Sequence, residues 1–310
     1  MSDLCYLCTS MRPNTLRNRL SGVIAFPITP FKEDLSLDLP ALHQNLTSLL
    51  NYQISAIVAA GGTGEMYSLT PAEYTRVIEL TALAVEDRVP VIAGVGFGQR
   101  LAIEMAQTAE KAGADGVLVF PPYYQHAEDD GLFEYYRAIG AATKLGMLVY
   151  SRDWTNFTPA MVERLTSIPT LIGWKDGQGD IRRLQAIMNR VGDRLHWIGG
   201  AGDDMVAAYY SIGIRTFSSS IATVAPQLSL KLHELADAGD SEALTELLNE
   251  CVIPLYALRA RRKGYEVSAM KAMMDMVGLN GGPVRPPLVN VTSEEEDELR
   301  TILSTWEKFL

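Results

Sequence analysis

Eight short β-rich runs alternate along this chain with stretches of helical periodicity, and no hairpin turn joins one run to the next. They fall at residues 22–28, 55–60, 90–95, 116–120, 146–150, 171–175, 195–199 and 214–218. Between them, segments such as 71–85, 101–112 and 180–191 repeat apolar residues at spacings of three and four. Strands separated by helices must pair in parallel, because a parallel pair needs a crossover longer than a tight turn. Eight such units are the number that closes a (β/α)8 TIM barrel. A doubly wound open sheet is the alternative, but Gly94-Val95-Gly96-Phe97-Gly98 lacks the G-x-G-x-x-G spacing of a dinucleotide-binding turn.

The α/β pattern divides the chain into three parts. Residues 21–225 carry the barrel, and residues 1–20 form a tail that is disordered or helical. Residues 226–310 form a C-terminal helical extension, packed on the barrel or on a neighbouring subunit. Helix starts are marked by Thr70-Pro71-Ala72-Glu73, by Thr158-Pro159, and by Ser293 with Glu296 as its capping partner.

Charge and cysteine content narrow the function classes. The formal net charge is -10, and the one dense basic run is Arg259, Arg261, Arg262 and Lys263. A nucleic-acid partner is therefore not expected. No apolar stretch approaches the ~20 residues of a membrane span, and the first residues lack the order of a signal peptide, so the cytoplasm is the expected compartment. Cys5 and Cys8 have C-x-x-C spacing, but no second pair or nearby histidine accompanies them, and a zinc or redox role is not expected.

In a barrel, chemistry comes from the C-terminal ends of the strands. The second run ends in Gly61-Gly62-Thr63-Gly64-Glu65, a turn whose amides and hydroxyl suit a small carboxylate. The fifth ends in Tyr150-Ser151-Arg152-Asp153, the sixth in Lys175, the seventh in Gly199-Gly200-Ala201-Gly202-Asp203 and the eighth in Ser218-Ser219-Ser220. Strict alternation puts Gly173 and Lys175 on one face of their strand, and Ile172 and Trp174 on the other. The same rule aims Tyr150 beside Lys175. A free lysine with a pKa of ~10.4 is neutral in only about one molecule in 10³ at pH 7. Desolvation lowers that pKa and frees the amine to condense with a ketone. A phenol beside it suits proton transfer to and from the adduct. Arg152 could grip a second carboxylate bidentately, or form a structural ion pair with Asp153 or Asp176. The histidines His43, His126 and His196 lack ligand spacing, and no metal is expected.

From about Ser21 onward the chain resembles the dihydrodipicolinate synthase / N-acetylneuraminate lyase family of Schiff-base aldolases and dehydratases. The segments that carry the resemblance are Gly61-Gly62-Thr63-Gly64-Glu65, Tyr150 and Lys175. Ala59-Ala60 before that turn, Tyr150-Ser151-Arg152-Asp153, Gly173-Trp174-Lys175-Asp176-Gly177, Arg262-Lys263-Gly264-Tyr265 and residues 281–288 are similar to its sugar-acid dehydratase branch. The resemblance implies a TIM barrel with Lys175 as Schiff-base lysine and Tyr150 as proton relay. It implies that Gly62 and Thr63 bind an α-keto carboxylate, with Ser219 and Gly202 lining the pocket. A small keto sugar acid is the implied substrate, with no external cofactor, in a homotetramer built as a dimer of dimers. Two departures stand out. Ser151 occupies a position where that branch usually has asparagine. Tyr123-Tyr124 is similar to the synthase branch, in which the second tyrosine enters a neighbouring subunit's site, so Tyr124 is a cross-subunit candidate. The rival readings are a pyruvate-dependent aldolase or synthase of the same family, and a binding barrel without catalysis.

Overall fold

A computed structural model describes residues 11–123, 127–152, 155 and 157–310. Eight parallel strands close into a barrel in chain order. They are β1 (Gly22–Ala25), β2 (Ala56–Ala59), β3 (Val91–Val95), β4 (Gly116–Val119), β5 (Gly146–Ser151), β6 (Leu171–Asp176), β7 (His196–Gly199) and β8 (Thr216–Ser219). The expected runs are all strands, most of them shorter by a residue or more at an end. The helices through the barrel are α1 (Pro13–Arg19), α2 (Leu39–Leu49), α3 (Pro71–Val85), α4 (Gln99–Lys111), α5 (Asp129–Ala141), α6 (Pro159–Leu165), α7 (Ile181–Val191) and α8 (Val206–Ser211). The extension holds α9 (Pro226–Ala238), α10 (Ser241–Leu247), α11 (Ile253–Arg259), α12 (Tyr265–Met276) and α13 (Ser293–Ser304).

Alternation along the strands splits the core into two layers. Ile24, Ala56, Val58, Ile92, Leu118, Leu148 and Ile198 fill the barrel, while Val23, Ile57, Ala93, Val117, Val149, Trp174 and Phe217 pack outward under the helices. The tail contributes to the inner layer. In α1, Leu16 is fully buried among the barrel residues and closes the end opposite the strand C-termini. Gly116 leaves it room, since a Cβ there would lie 2.5 Å from the Leu16 side chain.

One strand departs from strict alternation. The β5–β6 ladder pairs Met147 with Leu171 and Leu148 with Gly173, so Ile172 is an extra residue between them. Ile172 therefore points into the barrel over Gly146, while Trp174 packs outward, and the two do not share a face. Beyond the bulge the register recovers, and Tyr150 pairs with Lys175.

Helix starts follow the expected chemistry. Thr70 and Glu73 form the reciprocal capping box of α3. In α13 the box is one residue earlier than Ser293 and Glu296, formed by Thr292 and Glu295. Both pairs have the required spacing, and Glu295 is favoured because its carboxylate also accepts from the buried Tyr265 hydroxyl. The extension packs on the barrel, and Lys271 of α12 reaches back to Glu65 after β2. Among the described residues, no helix is long and apolar enough to cross a membrane.

Candidate active site

Lys175 and Tyr150 emerge side by side at the C-terminal ends of β6 and β5, each 4% exposed. The Lys175 amine lies over the Tyr150 ring, 3.6 Å from its centroid, and 5.1 Å from that of Phe26. Its Nζ donates to the Gly200 carbonyl at 3.0 Å, and the Tyr150 hydroxyl lies 3.5 Å from the same oxygen. Gly200 must be glycine for this contact, because a Cβ there would stand 2.6 Å from the Lys175 Nζ. Burial pushes the amine below its ordinary range, with the neighbouring Tyr150 pulling the other way. Burial alone would raise the Tyr150 phenol, but Lys175 and Arg152 beside it bring it below its usual value. The arrangement is a desolvated amine beside a phenol whose proton is loosened.

Two aromatic residues connect this pair to the Gly61–Glu65 turn. A Cβ on Gly61 would meet the Phe26 ring at 3.0 Å, and one on Gly62 would meet Phe120 at 3.9 Å. Phe120 packs edge-on against Tyr150, with ring centroids 5.3 Å apart. The turn is closed by Glu65 N–H donating to the Gly62 carbonyl and Met66 N–H to the Gly61 carbonyl, and the Thr29 hydroxyl holds the Gly64 carbonyl. Gly62 and Thr63 sit at its half-buried apex, and among the described residues their backbone N–H groups have no acceptor. These are donors of the kind a carboxylate needs.

Arg152 leaves β5 toward the extension. Its Nη1 donates to the Tyr150 hydroxyl at 3.2 Å, and its Nη2 lies 3.7 Å from a Glu266 carboxylate oxygen on α12. Asp176, one of the expected partners, instead accepts from Tyr209 and from the Gly179 N–H. Asp153, the other, lies outside the described residues, as do Tyr124, Cys5 and Cys8. Ser151 is buried in β5.

One expected pocket residue, Ser219, is turned away. Ser219 shares the outward face of β8 with Phe217, and its hydroxyl is committed to Asp203, Ser229 and the Ala222 N–H. Alternation explains this, since Ser218 takes the inward position. Gly202 packs against the extension, where a Cβ would meet the Tyr256 hydroxyl at 2.6 Å. Sequence reasoning missed the Gly200 carbonyl and Glu266. A main-chain acceptor leaves no side-chain signal, and Glu266 is remote in sequence.

The loop after β7 is anchored by Asp203, which is fully buried. Its carboxylate accepts from the Ser219 hydroxyl and from the Tyr256 hydroxyl at 3.1 Å. Burial lifts its pKa to about 6, opposed by those donors. A carboxyl raised above its ordinary value binds its proton more tightly when folded. Its stabilising contribution is thus complete below the unfolded value of 3.8 and lost as pH rises through about 6. Thermal unfolding should show a loss of roughly 1–3 kcal/mol across that window relative to Asp203→Asn. Parallel midpoint-versus-pH curves for the two proteins would refute this.

A family model for the dihydrodipicolinate synthetase family matches residues 19–306. The chain belongs to this family. Among curated relatives, the "probable 5-dehydro-4-deoxyglucarate dehydratase" of Bradyrhizobium diazoefficiens is 39% identical over 299 residues, covering 95% of each chain. That of Methylobacterium radiotolerans is 40% identical over 298 residues, covering 95% of this chain and 98% of its own. Among solved structures, the dihydrodipicolinate synthase from Oceanobacillus iheyensis superposes with a TM-score of 0.89 at 30% identity, covering 94% of this chain and 98% of that one. The dihydrodipicolinate synthase from Acinetobacter baumannii, solved complexed with pyruvate, gives 0.86 at 27% identity, covering 94% and 100%.

Proposed function

We propose that this member of the dihydrodipicolinate synthetase family dehydrates and decarboxylates 5-dehydro-4-deoxy-D-glucarate to 2,5-dioxopentanoate through a Schiff base on Lys175. The observation that carries the reading is the buried Lys175 amine against the Tyr150 phenol and the Gly200 carbonyl. The names of the dehydratase relatives support the substrate.

The chemistry runs as follows. Lys175 Nζ attacks the C5 ketone, and water leaves to give an iminium. Loss of a C4 proton, carried by Tyr150, gives an enamine, which expels the C3 hydroxyl as water. The resulting conjugated iminium accepts the C1–C2 bonding electrons as C1 leaves as carbon dioxide. Reprotonation of the carbon chain and hydrolysis release 2,5-dioxopentanoate and return the amine. One electron sink serves both eliminations, and no redox step is involved. Gly62 and Thr63 hold the carboxylate next to the ketone, and Arg152 takes the distal one after exchanging Glu266 for it.

Arg152 carries a testable consequence. Arg152→Gln should raise KM for the dicarboxylate by roughly 10–100-fold, the worth of a charge-assisted hydrogen bond. Pyruvate, with a single carboxylate, should still be trapped on Lys175. An unchanged KM would remove Arg152 from the binding role.

The likeness to synthases, one solved with pyruvate, favours a second reading in which pyruvate is the substrate that forms the adduct. Borohydride reduction followed by mass spectrometry, with product analysis of an unreduced sample, separates the two. A Lys175 adduct with 2,5-dioxopentanoate and carbon dioxide supports the dehydratase. An adduct with pyruvate, and no turnover of the glucarate derivative, moves the protein to the aldolase or synthase branch. No adduct with either leaves a binding barrel.

A further inference from the structure

The Gly200 carbonyl accepts from the catalytic amine, so whatever fixes that peptide fixes the amine. The peptide joining Gly200 to Ala201 is planar and trans, which sends its C=O and N–H in opposite directions. On one side the carbonyl accepts from Lys175 Nζ at 3.0 Å. On the other, the Ala201 N–H donates to the Tyr209 hydroxyl at 3.1 Å. Tyr209, from α8, is fully buried, and its ring is pressed on Gly199, where a Cβ would stand 2.4 Å from it. A phenol that donates its own hydrogen to a carboxylate becomes a stronger acceptor in turn. Here it donates to Asp176 Oδ2 at 2.8 Å, with the Asp176 carbonyl 3.2 Å away. That carboxylate oxygen is itself held by the Gly179 N–H at 3.0 Å. Asp176 follows Lys175 in β6, so alternation turns it outward, to the helical side, as Lys175 turns in.

We propose that Tyr209 and Asp176 are positioning residues, a clamp from behind the barrel wall that sets the direction of the Gly200 carbonyl and thereby the orientation of the Lys175 nitrogen. The proposal rests on the Schiff-base reading and deepens it. In the free amine, one N–H is directed at Gly200, which aims the lone pair at the incoming ketone. In the iminium, Nζ keeps a single hydrogen, and the same carbonyl accepts it. The plane of the C=N bond is then fixed against Tyr150. Neither clamp residue touches the substrate.

The test compares Tyr209→Phe, Asp176→Ala and Asp176→Asn with the unaltered protein. Pyruvate and borohydride give the rate and final yield of adduct on Lys175 by intact-mass spectrometry, and 5-dehydro-4-deoxyglucarate gives kcat and KM. Tyr209→Phe and Asp176→Ala should slow trapping and lower kcat by about tenfold, with KM within about twofold and nearly full final yield. Asp176→Asn keeps a carbonyl oxygen for the Tyr209 O–H and should recover most of the rate. Rate loss with full yield separates positioning from a merely structural role, which would reduce the trapped fraction instead. Unaltered trapping in Tyr209→Phe, a reduced final yield with an unaltered rate, or no advantage of Asp176→Asn over Asp176→Ala would overturn the clamp. Absence of any adduct in the unaltered protein would overturn the Schiff-base reading itself, and the clamp with it.

Discussion

Lys175→Met should lower kcat by on the order of 10⁴-fold or more and abolish the borohydride-trapped adduct, while leaving the barrel folded. The size of the loss follows from the proposed route, in which every bond broken in the substrate depends on the nitrogen electron sink. No neighbour can replace it. Tyr150 is a phenol, and Arg152 is a guanidinium that stays protonated. Folding should survive because the substitution removes a desolvated amine rather than an apolar contact. Methionine follows the lysine stem past Phe26 and Tyr150, and a buried amine held by one carbonyl contributes little net stability. The Tyr150 hydroxyl remains within 3.5 Å of the carbonyl that is left behind. Circular dichroism and thermal unfolding check the fold, and steady-state kinetics with intact-mass analysis check the chemistry. A variant that stays folded and retains more than about one per cent of kcat would rule out covalent catalysis at Lys175.

The position of this lysine was readable because it needs only two rules. Parallel strands present their C-terminal ends on one rim, and alternation aims Tyr150 and Lys175 inward from adjacent strands. Where packing overrides alternation, reading failed. Ile172 is displaced by a bulge, whose one local sign is Gly173, the glycine that follows it and lies against the Leu148 side chain. Ser219, a pocket residue by resemblance alone, stands on the outward face. The tail was legible only as outside the strand pattern. Seven residues of α1 are too few to show periodicity, although Pro13 marks the start, and the burial of Leu16 is decided by the open end of the barrel. Partners such as Glu266 and Tyr209 are invisible for a different reason. They meet Arg152 and Asp176 from elements one or more strands further along the chain.

The same long-range closure makes Lys271 the residue whose loss should cost most in stability. Its ammonium is buried, 2.6 Å from a Glu65 carboxylate oxygen, and it donates to the Pro283 carbonyl at 2.8 Å. It also faces the Phe31 ring, 4.3 Å from the centroid. The second Glu65 oxygen accepts from the Arg285 N–H at 3.1 Å. Glu65 adopts φ +51, a left-handed conformation uncommon for a residue with a side chain, which is held by these partners. Lys271→Met would leave that carboxylate buried without its counter-charge. Removing one partner of a buried pair costs about 3–5 kcal/mol, which for a domain of this size lowers the unfolding midpoint by roughly 5–8 °C. The double variant Glu65→Gln with Lys271→Met should recover much of the loss, because the penalty lies in the stranded charge rather than in the absent attraction. Function should follow geometry and not stability alone. Glu65 ends the turn that presents Gly62 and Thr63, so the single variant should show a raised KM even well below its unfolding temperature. Equal midpoints for the single variant and the unaltered protein would mean that solvent reaches Glu65, and that the extension does not brace the Gly61–Glu65 turn through this pair.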